Sequence, residues 1–115
     1  MSSAARQRLF YALAEPTRLE IVELLAENGQ LPATSIYENF EVSHPAISQH
    51  LKVLREAKIV EMEKRAQQHI YRLNTDAMQE VELWAKHVAD LWNERFDALD
   101  KVLAEEIKKE SRNKK

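Results

Sequence analysis

Residues 43–57 bring hydrogen-bonding and cationic side chains together with aliphatic ones at helical spacing. At 100° per residue, the aliphatic positions share one face of a helix: Ile47, Leu51 and Leu54. The opposite face carries Ser48, Gln49 and Lys52. Gln49 can donate and accept a hydrogen bond at once, as contact with an adenine edge requires, while the long cation Lys52 suits a phosphate. The alternative is that these side chains only solvate an exposed helix face.

Two further groups extend this candidate nucleic-acid surface. His44 lies in the first turn of the same helix and His50 on its flank, and either could instead cap or pack locally. Arg65 lies where the tip of a β-hairpin is expected, and a cation there can enter the minor groove or bind its phosphates. A solvated turn is the alternative for Arg65. The predicted DNA-contacting residues are Ser43, His44, Pro45, Ser48, Gln49, His50, Lys52, Arg55, Arg65, Gln67 and Gln68.

The charge of the chain is unevenly distributed. Its 115 residues carry a formal net charge of −2 at pH 7. Residues 43–73 hold six lysines and arginines against three glutamates, a local charge of +3, so the rest of the chain carries −5. Because only nearby charges escape screening at physiological salt, a basic patch on an acidic body can still attract phosphate.

Apolar periodicity and capping signals predict the elements that would position these residues. Four helices are expected, over residues 3–13, 16–28, 33–39 and 44–57. Ser43 is the expected N-cap of the fourth helix. The period then changes, and residues 59–63 and 69–73 alternate in part, as short strands do. The loop between the strands, 64–68, has no glycine, so it is expected to be looser than a two-residue turn.

A long last helix, capped by Asn74 or Thr75, is predicted to end near residue 109. At about 34 residues it would be ~50 Å long, more than a small domain can cover. Soluble monomers rarely expose an apolar patch of this size, so a two-fold partner is the simplest solution. The predicted dimer interface is Leu9, Phe10, Leu13, Trp84, Val88, Leu91, Trp92, Phe96, Leu99 and Val102.

These elements predict one domain over residues 1–115 that is mainly α with a small β-hairpin wing. The expected architecture is a winged helix-turn-helix with a long C-terminal dimerisation helix. Its parts would be a DNA-binding core (14–75), dimerisation helices (3–13 and 76–109) and a frayed tail (110–115). Two such domains would place their recognition helices in successive major grooves, ~34 Å apart, so the double-stranded DNA site should be an inverted repeat.

Composition excludes several other classes of function. With one glycine the chain has no glycine-rich phosphate loop, and with no cysteine it has no disulfide framework or thiolate site. No arrangement of catalytic side chains stands out, so an enzyme is not expected. No apolar run is long enough for a membrane span and no signal-peptide core is present, which favours the cytoplasm. A winged-helix protein-interaction module without sequence-specific DNA binding remains the alternative.

Three stretches resemble, in the same order, motifs of the ArsR/SmtB-type bacterial repressors. EPTRLEI at 15–21 is similar to the family's D-P-T-R-x-x-I helix start, SHPAISQHLKVLREA at 43–57 to its recognition helix with an S-x-H-L-x-x-L core, and KRAQQHIYRL at 64–73, in part, to its G-R-x-x-Y-x-L wing. The resemblance implies a dimeric, operator-binding transcription regulator, usually a repressor. Where the family often has glycine after the recognition helix, this chain has Lys58, and a left-handed lysine would cost up to ~1 kcal/mol.

Many members of the family sense metals, and their ligand patterns are incomplete here. The cysteines of one type of site are absent. The resemblance implies a second type of site, with carboxylate and histidine ligands at a long fixed spacing on the last helix. There His87 has Asp90 at i+3, but the position eleven residues after His87, where a further ligand would be expected, is Ala98. A lone His–Asp pair on an exposed helix face is usually solvated. The resemblance is therefore to a non-metal branch of the family, with no metal site or cofactor and an effector that the sequence does not identify.

Overall fold

The computed structural model describes residues 2–113, with residue 113 described through its backbone alone. The elements in chain order are α1 (Ser3–Leu13), α2 (Pro16–Asn28), β1 (Gln30–Pro32), α3 (Ala33–Glu38), α4 (His44–Glu56), β2 (Val60–Arg65), β3 (Gln68–Leu73) and α5 (Thr75–Asn113). This confirms the mainly α architecture with a small β-hairpin wing and a long C-terminal helix. None of the described helices is both long and apolar enough to cross a membrane.

The chain divides into two compact units between Glu80 and Val81. The first unit contains α1 to β3 and the start of α5, and the second contains the rest of α5. The first unit therefore includes α1 as well as the predicted DNA-binding core, whereas the assignment of the whole chain to one domain stays a prediction.

Local side-chain caps explain where the helices of the first unit begin. The carboxylate of Glu15 accepts from the backbone N–H of Arg18 at 2.8 Å, so the Glu15 side chain is the N-cap of α2. Ser43 Oγ accepts from the N–H of Ala46 at 3.3 Å, as predicted for α4. Asn74, one of the two predicted caps of α5, accepts from Ala77 at 3.2 Å.

The sheet contains a strand that the sequence analysis missed. Its three antiparallel strands lie in the order β1-β3-β2. In β1 Leu31 pairs with Tyr71, and in β2 Met62 pairs with Tyr71 from the other side. β3 is thus the central strand, and β1 joins the wing to the segment between α2 and α3.

The core of the first unit draws on every described helix in it and on the sheet. Its fully buried large side chains are Leu9, Ile21, Leu25, Ile36, Ile47, Leu51, Leu54 and Ile59. Three of these belong to α4, which fixes the rotation of this helix about its axis. At a typical 1.5–3 kcal/mol for each fully buried aliphatic side chain, these three contribute substantially to a domain of this size.

Two residues other than glycine have left-handed backbone conformations. Lys58 has φ 62° and ends α4: its N–H donates to Arg55, and the N–H of Ile59 donates to Leu54. This is a Schellman arrangement, so the strained lysine that the sequence analysis anticipated is present. Ala66 has φ 56° in the hairpin, where Arg65 pairs with Gln68 across a two-residue turn. The expectation of a looser loop was wrong, because strand pairing holds alanine in a conformation that normally favours glycine.

The second unit is helix over its described length. α5 continues to Asn113, so residues 110–113 are helical rather than the predicted frayed tail, while Lys114 and Lys115 lie outside the described residues. Large apolar side chains on one side of this helix are between 41 and 64% exposed in the single chain: Trp84, Val88, Leu91, Trp92, Phe96, Leu99, Val102, Leu103 and Ile107. The rings of Trp92 and Phe96 meet edge to face at 4.9 Å.

Candidate nucleic-acid interface

The predicted polar face of α4 points to solvent. Ile47, Leu51 and Leu54 are at most 1% exposed, so they anchor the helix in the core. The opposite face presents exposed side chains: His44, Pro45, Ser48, Gln49, Lys52 and Arg55. Ser43 is also exposed, with its hydroxyl used as the N-cap. The structure thus gives α4 a rigid inner face and a hydrogen-bonding outer face.

An aromatic residue of α3, which the sequence analysis did not single out, organises part of this face. The ring of Tyr37 stacks on the imidazole of His44, with centroids 4.5 Å apart and planes inclined by 13°. The hydroxyl of Tyr37 lies 2.8 Å from Ser48 Oγ. Two predicted DNA-contacting residues therefore have a local partner on the neighbouring helix.

His50 packs locally on the flank of α4. Its Nδ1 lies 3.2 Å from a guanidinium nitrogen of Arg18, whose Nε donates to the carbonyl of Ala12 at 2.6 Å. Because a guanidinium only donates, Nδ1 of His50 is the acceptor wherever this contact is a hydrogen bond. The arrangement links α4 to the end of α1 and the start of α2.

The carboxylate of Glu15 completes this cluster, 3.7 Å from His50 Nδ1. Partial burial acts to raise the pKa of this carboxyl, but the backbone N–H groups of Arg18 and Thr17, together with the positive charge of Arg18, outweigh it and lower the pKa. Glu15 is therefore held in its charged form, and its hydrogen bonds and charge support the position of Arg18.

Arg55, near the C-terminal end of α4, connects the helix to the wing. Burial raises the pKa of the Tyr71 hydroxyl on β3, whereas the Arg55 guanidinium, which donates to this hydroxyl, acts in the opposite direction. Within residues 2–113, neither Arg55 nor Lys52 has a carboxylate at ion-pair distance. Both charges are thus available to an external anion.

The wing carries its own network of opposite charges. Arg65 donates to Glu63 at 2.8 Å, and Arg72 donates to Glu61 at 3.1 Å and to Glu63 at 3.2 Å. The hydrogen bond from Arg65 is the largest cause of the lowered pKa of Glu63. Gln67 occupies the turn itself and Gln68 the first position of β3, and both are exposed. The predicted wing cation is therefore at the hairpin tip, but it is paired within the wing.

The residues predicted for a dimer surface fall into two groups. Those on α5 are exposed in the single chain: Trp84, Val88, Leu91, Trp92, Phe96, Leu99 and Val102. On α1, Phe10 and Leu13 are half-buried, and Leu9 is only 1% exposed. Leu9 already belongs to the core of the single chain, so its assignment to the interface is corrected.

A short helix, a tight turn, a second helix with an exposed polar face and a following β-hairpin together define the winged helix-turn-helix class of DNA-binding domains. The family described as bacterial regulatory protein, arsR family, matches residues 15–62 of this chain. This chain belongs to the ArsR family and is a transcriptional regulator.

Relatives named as repressors support this assignment. The chain is 37% identical over 76 residues to the transcriptional repressor SdpR of Bacillus subtilis (strain 168), covering 66% of this chain and 83% of that protein. It is 36% identical over 74 residues to the arsenical resistance operon repressor of Staphylococcus xylosus, covering 64% of this chain and 70% of that protein.

Solved structures show the same fold. An ArsR-like transcriptional regulator from Rhodococcus sp. RHA1 superposes with a TM-score of 0.72 at 26% identity, covering 86% of this chain and 92% of that chain. A homodimeric winged helix-turn-helix DNA-binding domain from Mycobacterium bovis gives a TM-score of 0.63 at 25% identity, covering 76% and 80%.

The two side chains considered as metal ligands, His87 and Asp90, lie on α5. Among the described residues, no group of three or more His, Cys, Asp or Glu side chains could hold a metal ion. His87 and Asp90 are both exposed on α5, and Asp90 accepts a hydrogen bond from Lys86 at 2.8 Å.

Proposed function

We propose that this chain is a sequence-specific, double-stranded-DNA-binding regulator, a homodimeric repressor that acts on an inverted-repeat operator in the cytoplasm. One observation carries the proposal: α4 is locked by three buried aliphatic side chains while Ser48, Gln49 and Lys52 face solvent. A helix held in this way can enter a major groove without losing its anchoring, and its polar side chains then meet base edges.

The side chains of this face divide into base-reading and backbone-binding groups. Gln49 has both a donor and an acceptor at the end of its side chain and is proposed to read an adenine. Lys52 and Arg55 are proposed to bind phosphates, since neither has a carboxylate partner among residues 2–113. His50 can donate to a phosphate through Nε2 while Arg18 holds Nδ1.

The wing is proposed to contribute through an exchange of partners. Arg65 and Glu63 are about half exposed, with side-chain accessibilities of 55 and 45%. Ion pairs this exposed are weak, because water screens them. A DNA phosphate can therefore replace Glu63 as the partner of Arg65, with Gln67 and Gln68 able to add hydrogen bonds at the hairpin tip.

The second copy is inferred from the exposed apolar side of α5. Nine large apolar side chains there are at least 41% exposed, and a patch of this kind is typical of an interface. The Mycobacterium bovis neighbour is described as homodimeric. A two-fold dimer presents two α4 helices, which explains why the operator is proposed to be an inverted repeat.

The salt dependence of DNA binding tests this function against a protein-interaction role. The three cations proposed to bind phosphate in each protomer, Lys52, Arg55 and Arg65, give about six contacts in the dimer. The logarithm of the association constant should then fall with a slope near −5 against the logarithm of the salt concentration, or about 10³-fold between 50 and 200 mM salt. Fluorescence anisotropy with a labelled duplex measures this slope.

A control variant tests whether the salt slope reports the proposed DNA surface or the overall charge of the chain. Lys101→Ala removes an exposed cation from α5 and should leave the slope unchanged. Failure to bind any duplex at 50 mM salt, or binding that does not respond to salt, would support the interaction-module alternative and contradict the proposed function.

A further inference from the structure

Tyr37 touches the recognition helix at two points on one face. It stacks on His44 at 4.5 Å and its hydroxyl lies 2.8 Å from Ser48 Oγ. His44 and Ser48 are four residues apart, so their side chains are neighbours on the surface of α4. Building on the proposed function, we propose that Tyr37 is a positioning residue that determines which base pairs α4 accepts, by fixing the side chains of His44 and Ser48.

The hydrogen bond to Ser48 restricts what this hydroxyl can read. A free serine hydroxyl has one donor and two acceptor sites and rotates to suit its partner, so it can contact different bases. Once Ser48 Oγ is bonded to Tyr37, its rotamer is fixed and part of its hydrogen-bonding capacity is used. The two sites that remain then point in fixed directions, so fewer base-edge patterns satisfy them.

The stack has a corresponding effect on His44. An exposed histidine in the first turn of a helix samples several ring orientations, but the nearly parallel ring of Tyr37 holds the imidazole in one plane. The platform itself is rigid, because the preceding residue, Ile36, is completely buried and ties α3 to the core. Tyr37 thus transmits the fixed position of α3 to the two side chains.

Selection of duplexes from a random pool by the intact chain tests this role. Tyr37→Phe keeps the stack and removes the hydrogen bond, so the preference at one position of each half-site should relax about three- to ten-fold, the usual range for one hydrogen bond. The salt slope and the thermal midpoint should stay unchanged, because no phosphate contact or core residue is lost. Tyr11→Phe, on an exposed tyrosine of α1, is the matched control.

Two further variants assign the effect to its partners. In a Ser48→Ala background, Tyr37→Phe should change nothing further at that position, since the partner hydroxyl is already gone. Tyr37→Ala should relax a second position, the one facing His44. An unchanged preference in Tyr37→Phe, or the same relaxation in the Ser48→Ala background, would overturn the inference alone. If the unmodified chain enriches no sequence, the proposed function fails and this inference fails with it.

Discussion

Replacing Leu99 by glutamate is expected to make the chain monomeric and to weaken its binding to the operator by at least about 100-fold. Leu99 is 52% exposed in the single chain and lies on the apolar side of α5. In the proposed dimer it is covered by the partner, where an unpaired carboxylate is costly. Losing the second subunit also loses the second half-site, and linking two half-sites usually raises affinity by 10²–10⁴.

Lys101→Glu is the matched control for this substitution. It adds the same side chain two residues away, on the opposite side of α5, where the helix surface is polar, so it should leave a dimer. Analytical ultracentrifugation at micromolar concentration gives the oligomeric state, and circular dichroism verifies that both variants stay folded. A dimeric Leu99→Glu variant, or a monomeric unmodified chain, would contradict the proposed interface.

Substitutions of two neighbouring residues on α4 are expected to have different consequences. Gln49→Ala should remove discrimination at one base pair of each half-site, about 5- to 150-fold for a loss of 1–3 kcal/mol. Lys52→Ala should weaken binding to every duplex by a similar factor. It should also reduce the magnitude of the salt slope by about one for each phosphate contact that is lost. Both side chains are exposed, so neither change should affect folding.

Titration of a panel of duplexes with single base-pair changes distinguishes the two effects. Gln49→Ala should flatten the panel at one position, whereas Lys52→Ala should shift all affinities together. A uniform loss from Gln49→Ala would mean that this side chain binds the backbone or supports the helix, and the assignment of base reading to it would be withdrawn.

The sequence predicted α4 well because its determinants are local. The aliphatic residues Ile47, Leu51 and Leu54 recur at i, i+4 and i+7, and Ser43 supplies the cap from the residue just before the helix. These signals act within a few turns, so the buried and exposed faces follow from spacing alone. The same reasoning gave Asn74 or Thr75 as the cap of α5, and Asn74 is the one that accepts from Ala77.

Features that depend on distant pairing were not predictable in this way. β1 has three residues, includes Pro32 and exists because it pairs with β3, far along the chain. The turn at Ala66 violates the local preference of alanine because two six-residue strands fix the register around it. In both cases tertiary contacts override the local signal.

The side-chain interactions that the sequence analysis missed differ in whether local spacing could have predicted them. The ion pair between Arg65 and Glu63 could have been predicted from the sequence, since residues i and i+2 of a strand lie on the same face. The contacts of Tyr37 with His44 and Ser48 could not, because they depend on how α3 crosses α4.

The central claim is that paired α4 helices read base-pair edges in two successive major grooves. Selection of bound sequences from a random duplex pool by the purified, unmodified chain tests it most directly. The expected result is an inverted repeat whose half-site centres lie about one helical turn, or 10–10.5 base pairs, apart. Enrichment of no sequence, or of a site without two-fold symmetry, would contradict this account.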